Sequence, residues 1–423
     1  MKRLTAVSWF MPPIVLPRSI QIARGLKTLH QRGWISDVVC APTEAMNGTV
    51  VDRDFGALYD GYFQRHAVEY REDVSPSSWL RRSMRWMQPP DDVDEDNWIR
   101  RAGKVTLNLI QQSRPDVFVT FAQPWINHRV GLYIKECCSD LPWLVHFSDP
   151  WVDSIYLPDA GSEEEKTRRR VWREQEEAIV NAADAVVFVT RQTADLVMRK
   201  YPGDWRSKVH VVPHGFDRDT LPALPSQSAD RGPLKLIHAG NIYAGKRDPQ
   251  CLFQALQHLG GRDALAGRLE VAFYGNAPVE TLAELKTAGL EGIVTFEGTV
   301  GYLESLRVAA AADALLLIDA AADVNVFLPS KTVDYLMLER PILGLTPENG
   351  ATADVLGSTG HTVTPPGDVQ ALARHLAEWL GRYERGEPLM SGPFGSSDQF
   401  DIRRTIENFE AALQSAIDAV RSG

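Results

Sequence analysis

Strand-like and helix-like segments alternate along almost the whole chain, and this alternation constrains the fold more than any other feature. Short apolar runs bounded by Gly, Pro, Asn or Asp read as strands. They fall at 4–10, 36–41, 117–121, 143–147, 185–190 and 209–212, then at 234–239, 269–274, 293–297, 314–318, 342–345 and 361–363. Between them, apolar residues at three- and four-residue spacing predict helices at 18–31, 98–113, 166–181, 194–200, 249–260, 279–287, 303–311, 331–338, 369–382 and 402–421. A strand that returns to its sheet through a helix implies a parallel sheet with right-handed crossovers. Two such series predict an α/β chain of two doubly wound domains.

The break between the series is written in the composition. Pro213-His-Gly-Phe-Asp217 leads into a stretch rich in Pro and Ser that ends at Pro233. The expected organisation is a first domain at 1–213, a linker at 214–233, a second domain at 234–391 and a final segment with a helix at 392–423. A chain of 423 residues exceeds one ordinary core, which agrees with two domains. Its 44% hydrophobic and 24% charged content is that of a soluble globular protein. A net charge of −10 argues against nucleic acid as a partner. Cys40, Cys137, Cys138 and Cys251 show no metal-type spacing and suit a reducing, cytoplasmic compartment. Met1-Lys-Arg runs into an apolar strand ending at Pro12-Pro13, too short for a signal peptide or a membrane span. A soluble or peripheral protein is expected.

In open parallel sheets ligands bind at the carboxyl ends of the strands. Four loops of the second series lie there. In His238-Ala-Gly-Asn-Ile-Tyr-Ala-Gly-Lys246, Gly240 and Gly245 permit tight turns, and Lys246 with Arg247 brings positive charge near the next helix, which suits a diphosphate. An ordinary strand-to-helix loop explains the same residues. Gly275, in Phe273-Tyr-Gly-Asn276, admits either a ligand or a neighbouring backbone. The backbone of Thr299, Val300 and Tyr302 is placed to read a base edge with the Tyr302 side chain beside it, or Gly298 and Gly301 merely turn the chain. The fourth loop is Phe327-Leu-Pro-Ser-Lys-Thr-Val-Asp-Tyr-Leu336. Pro329 and Ser330 suit a helix start, Lys331 then sits where free N–H groups favour an anion, and Asp334 follows one turn later. A lysine for phosphate and a carboxylate for a ribose diol fit a nucleotide-sugar; a solvated surface helix fits the pattern too.

In the first series, His128 follows one strand end, and His146 and Asp149 end the next. These are the catalytic or acceptor-side candidates. Asp149 before Pro150 also suits a turn, and His128 a helix cap or acceptor rim. The acids at Asp149 and Asp153, and at Asp217 and Asp219, lack a strand-flanked setting, and no metal is expected. Trp79-Leu-Arg-Arg-Ser-Met-Arg-Trp-Met87 is either a basic membrane-surface segment or holds core tryptophans. The acidic run at 91–96 reads as solvated. Arg168 to Arg173, flanked by Glu163 to Glu165, Glu174 and Glu176, reads as a salt-bridged helix face.

Taken together, Gly240…Lys246, Phe273-Tyr-Gly, Phe296-Glu-Gly-Thr-Val, Ala311-Ala-Asp-Ala-Leu-Leu-Leu317 and Pro329-Ser-Lys…Asp-Tyr-Leu…Arg-Pro-Ile-Leu343 resemble the donor domain of a GT-B glycosyltransferase of the family 4 type. Val209-His-Val-Val-Pro-His-Gly-Phe-Asp217 resembles its interdomain strand and link. Leu141 to Trp151 and Ala183 to Thr190 extend the resemblance through the first half. It implies two Rossmann-like domains facing a cleft, with the C-terminal helix packing back towards the N-terminal domain. It implies no cofactor, a nucleotide-diphosphate sugar as co-substrate, and retaining, metal-independent transfer of a hexose to a glycan or lipid-linked acceptor. The setting would be cytoplasmic, with peripheral contact on the inner membrane face. Lys246 and Lys331 would hold the phosphates, Gly240 would bring the backbone close, and Asp334 would take the ribose hydroxyls. Two departures stand out. Many relatives carry a glutamate eight residues before the position of Asp334, but here it is Val326, so sugar contacts fall to backbone amides around 324–328. The usual glycine pair after the first strand is replaced by Phe10-Met-Pro-Pro-Ile-Val-Leu-Pro-Arg18, where Arg18 would supply the contact to diphosphate or acceptor. A nucleotide-sugar 2-epimerase and a non-catalytic nucleotide-sugar-binding module are the alternatives.

Overall fold

The computed structural model describes residues 1–43, 50–69, 95–157, 161–221, 232–243, 245–390 and 396–422. The basic segment at Trp79–Met87, most of the acidic run after it, half of the linker and the start of the 392–423 segment lie outside the described residues. The chain divides into two compact units, Met1–Gly215 with Ile402–Gly423, and Phe216–Asp401.

The first unit runs β1 (Lys2–Val7), α1 (Pro17–Gln31), β2 (Trp34–Cys40), α2 (Arg53–Ala57), β3 (Gln64–Ala67), α3 (Glu95–Ser113), β4 (Val117–Phe121), α4 (Ile126–Cys137), β5 (Trp143–Phe147), α5 (Glu163–Ala182), β6 (Ala185–Phe188), α6 (Arg191–Met198) and β7 (Val209–Val211). Its sheet is parallel, in the order β3-β2-β1-β4-β5-β6-β7. Strands β4, β5 and β6 are buried throughout, as strands covered on both faces must be.

The second unit follows with β8 (Leu234–Ala239), α7 (Gln250–His258), α8 (Gly261–Leu265), β9 (Leu269–Tyr274), α9 (Val279–Thr287), β10 (Val294–Gly298), α10 (Tyr302–Ala310), β11 (Ala314–Ile318), α11 (Ser330–Met337), β12 (Ile342–Leu345), α12 (Ala351–Ser358), β13 (Thr362–Thr364) and α13 (Val369–Glu384). Its parallel sheet has the order β10-β9-β8-β11-β12-β13. Both sheets reverse their winding at the middle, between β1 and β4 and between β8 and β11. There the loops diverge and leave a crevice, so each unit has a binding position fixed by topology.

The last helix, α14 (Ile402–Ser422), belongs to the first unit, as expected of the C-terminal helix. Ile402, Thr405, Ile406, Phe409, Ala412, Leu413, Ala416 and Ile417 recur at three- and four-residue spacing and are buried. The stripe from Ile406 to Ile417 joins one sheet face with Leu4, Val119, Leu144 and Val187.

Helices α4 and α12 were not expected from the sequence. In α4 the signal was present, since Ile126, Val130 and Ile134 repeat every fourth residue and all are buried. A crossover from β4 to its parallel neighbour β5 also demands a connecting element. Helix α12 is built on small residues and offers no such stripe.

Candidate functional site

The loops after β8 and β11 meet at the reversal point of the second unit. His238, near the end of β8, is completely buried. Its Nδ1 lies 2.9 Å from the Leu316 carbonyl. A carbonyl only accepts, so Nδ1 carries the proton and Nε2 is left as an acceptor. Lys331 donates to it from Nζ at 3.0 Å. Burial, foremost, and Lys331 hold the imidazole well below the ordinary histidine range, so it stays neutral.

Lys331 is the second residue of α11, which starts at Ser330 after Pro329 without a side-chain cap. The expected helix start therefore holds, and the first N–H groups keep their potential for an anion. Burial, first, and the nearby charge of Arg247 push the Lys331 amine down to about 7, against the opposing pull of Asp319. Gly240 (φ 145°) lies directly against it: a Cβ there would stand 2.2 Å from Nζ. Tyr335 accepts from the Ala239 N–H at 2.7 Å and ties α11 to the end of β8.

Asp334 is buried one turn along and accepts a hydrogen bond from the Tyr302 hydroxyl at 3.3 Å. Tyr302 is itself buried as the first residue of α10, so its ring is not displayed beside a base; its hydroxyl serves Asp334 instead. Of its neighbours, Thr299 is exposed and Val300 half-buried. Gly275 resolves towards neighbouring backbone, because a Cβ there would meet the Gly240 carbonyl oxygen at 2.4 Å. Lys246 is half-buried in its loop, its N–H on the Tyr243 carbonyl at 3.0 Å. Arg247 beside it is the residue whose charge acts on Lys331, His238 and Asp319.

Sequence reasoning gave Arg247 a share in the positive charge for a diphosphate but assigned no role to His238, Asp319 or the Asn325 side chain. The buried Asp319 accepts from Asn325 Nδ2 at 2.7 Å and from Thr346 Oγ1 at 2.9 Å. Asn325 also reaches Thr352 Oγ1 at 3.2 Å and accepts from the Phe327 N–H at 3.0 Å. This network shapes the loop that carries Val326 and ends at α11. An acidic residue directly after an apolar strand was the available signal. His238 gave none, since its partner lies 93 residues away.

In the first unit, Arg18 and His146 come together. Arg18, at the start of α1, donates to His146 Nδ1 at 3.2 Å and to Gln21 Oε1 at 3.1 Å. With Nδ1 accepting, the His146 proton sits on Nε2. Burial, then Arg18, holds the ring well below the ordinary range, so it is a neutral donor. Both residues, with His214, Phe121 and Phe409, line a cavity of about 60 Å3. The charge of Asp149 acts on Arg18, and its carboxylate accepts from Ser148 Oγ at 2.8 Å. His128 departs from expectation. It lies inside α4, completely buried against Phe147, with Nδ1 on Thr120 Oγ1 at 2.8 Å, and is neither cap nor rim. A wider hollow of about 440 Å3, bordered by Met11, Tyr59 and Arg65, contains none of these residues. Asp153 joins Glu176 in pairing with Lys200, Asp217 accepts from the Asp219 N–H, and Arg168 pairs with Glu164 and Glu165. Among the described residues no group of three or more His, Cys, Asp or Glu is arranged to hold a metal ion.

Residues 19–215 match the family model described as the glycosyl transferase 4-like domain. Sucrose-phosphate synthase from Thermosynechococcus elongatus superposes over 100% of this chain and 99% of its own, with TM-score 0.65 and 14% identity. This chain has the GT-B fold, with a region similar to the glycosyl transferase 4-like domain. The lipopolysaccharide outer core galactosyltransferase WaaB shares the fold at TM-score 0.59 and 14% identity, over 98% of the GT-B chain and 99% of its own. A curated relative, D-inositol 3-phosphate glycosyltransferase of Xylanimonas cellulosilytica, is 38% identical over 96 residues, which are 20% of this chain and 22% of the relative. The match thus spans about a fifth of that relative's length. Among the described residues, no helix of the GT-B chain is long and apolar enough to cross a membrane.

Proposed function

We propose that this GT-B chain is a glycosyltransferase that takes a hexose from a nucleotide-diphosphate sugar held in the second unit and passes it to a glycan or lipid-linked acceptor. The observation that carries this reading is the Lys331 amine, fixed by His238 against Gly240 at the start of α11. In the reaction the bond between the anomeric carbon and the diphosphate oxygen breaks. The acceptor oxygen bonds to the anomeric carbon, and its proton leaves with the diphosphate. Lys331 and the free N–H groups of α11 offset the charge that develops on the departing diphosphate. Asp334, steadied by Tyr302, takes the ribose hydroxyls. On the acceptor side His146 donates from Nε2, while Asp149 orients the acceptor hydroxyl. Retention of configuration, independence from metal and a peripheral position at the inner membrane face belong to this reading through the family resemblance.

The test is incubation with UDP-, GDP-, ADP- and dTDP-hexoses, with and without glycan or lipid acceptors, followed by mass spectrometry. A glycosylated product that disappears in Lys331→Ala is expected. Epimer formed without acceptor would instead make the protein a 2-epimerase. Nucleotide binding with no turnover would make it a binding module.

A further inference from the structure

Lys331 is held from below by a group of unusual choice. An exposed lysine side chain is free about four bonds, and freezing it costs on the order of 1.5–2 kcal/mol. A carboxylate partner would hold the amine but would also neutralise it, and would then compete with any incoming anion. His238 does neither. Its ring is locked at Nδ1 by the Leu316 carbonyl, packs against Phe273 at 5.5 Å between centroids, and offers Nε2 as an uncharged acceptor. The adjacent carboxylate, Asp319, accepts from Asn325 and Thr346, both at Oδ2. Gly240 has no side chain, and this leaves Nζ its position above the backbone.

We propose that His238 is a positioning residue for anion capture: its neutral imidazole fixes Lys331 over Gly240, adds no opposing charge, and leaves the lysine's remaining N–H groups to a diphosphate. The proposal rests on the reading of Lys331 as the diphosphate anchor. Its physical content is preorganisation, because the ordering of the lysine is complete before the ligand arrives.

Two substitutions separate the imidazole's two contacts. His238→Asn keeps a donor near Nδ1 for the Leu316 carbonyl but is too short to reach Lys331. His238→Gln brings an oxygen close to the place of Nε2. Both variants, Lys331→Ala and the wild type are titrated calorimetrically with UDP, GDP, ADP and dTDP, with thermal unfolding as the check on folding. For the nucleotide bound best by the wild type, His238→Asn is expected to raise Kd about tenfold, the worth of one hydrogen bond to a charged group. His238→Gln should restore most of that affinity. In the transfer assay the Asn variant should raise the donor KM and leave kcat nearly unchanged. Wild-type affinity in His238→Asn, with weakened binding in Lys331→Ala, would overturn the role of His238 and leave the anchor standing. Equal losses in the Asn and Gln variants would overturn it too, since the lysine contact would not be the cause. Wild-type affinity in Lys331→Ala, or no binding of any of the four nucleotides, would remove the anchor reading and the proposal with it.

Discussion

A lysine whose amine sits at about 7 gives this site a pH signature. In the empty protein the folded state binds fewer protons at Lys331 than the unfolded chain does between that value and the ordinary 10.5. Burying Lys331 therefore weakens folding most below 7, and the penalty is relieved progressively as pH rises from about 7 towards 10.5. Ligand binding runs the other way, because a diphosphate favours the ammonium form. Nucleoside diphosphate affinity should fall as pH rises from 7, approaching a loss of about tenfold per pH unit. Lys331→Arg, which stays charged throughout, should flatten this dependence, and calorimetry across pH 6.5 to 9 measures both slopes. A flat wild-type profile would contradict the expectation. Gly240→Ala places a methyl group against Nζ and strains a backbone at φ 145°. It should weaken nucleotide binding about as much as Lys331→Ala does, with a stability cost of about 1–3 kcal/mol read by chemical denaturation. Gly275 faces rigid backbone rather than a flexible amine, so Gly275→Ala should cost more stability than Gly240→Ala in the same assay.

The loop between β11 and α11 is held as a unit by Asn325. Its side chain joins Asp319, Thr352 and the Phe327 N–H, while its backbone pairs with Gly350 at the start of α12. Asn325→Ala leaves the Asp319 carboxylate short of a donor and frees the approach to Lys331. A loss of about 2–3 kcal/mol is expected. Unchanged stability would mean that the network is not shaping the loop. Helix α14 has a different task, covering apolar sheet surface in the first unit. Truncation after Asp401 should expose that surface and lower the unfolding midpoint of the first unit. Hydrogen exchange should show lost protection in β4, β5 and β6 and little change in β8, β9 and β11. The helices were legible where an apolar stripe was long, as in α14, and illegible where small residues did the packing, as in α12.

The division into two units has a thermodynamic consequence. A ligand held by the second unit stabilises the state that binds it, by about 2.7 kcal/mol at a hundred times its Kd. Saturating nucleoside diphosphate should therefore increase hydrogen-exchange protection within 234–390, and Lys331→Ala should abolish the effect. Protection gained only in the first unit would move the site elsewhere. Strand order, and with it the crevice between β8 and β11, follows from crossover handedness once the alternation of elements is recognised. The sequence by itself determined that alternation, the apolar stripes, the helix start at Pro329 to Lys331 and the glycine at 240. Local spacing carries each of these, and local spacing is what a linear reading can measure. Only the tertiary structure decided that His238 would meet Lys331, that Tyr302 would serve Asp334, that Arg247 would act on the site and that His128 would be sealed inside. Those pairings depend on where separate strand ends arrive, and parallel sheets bring together residues that no spacing rule connects.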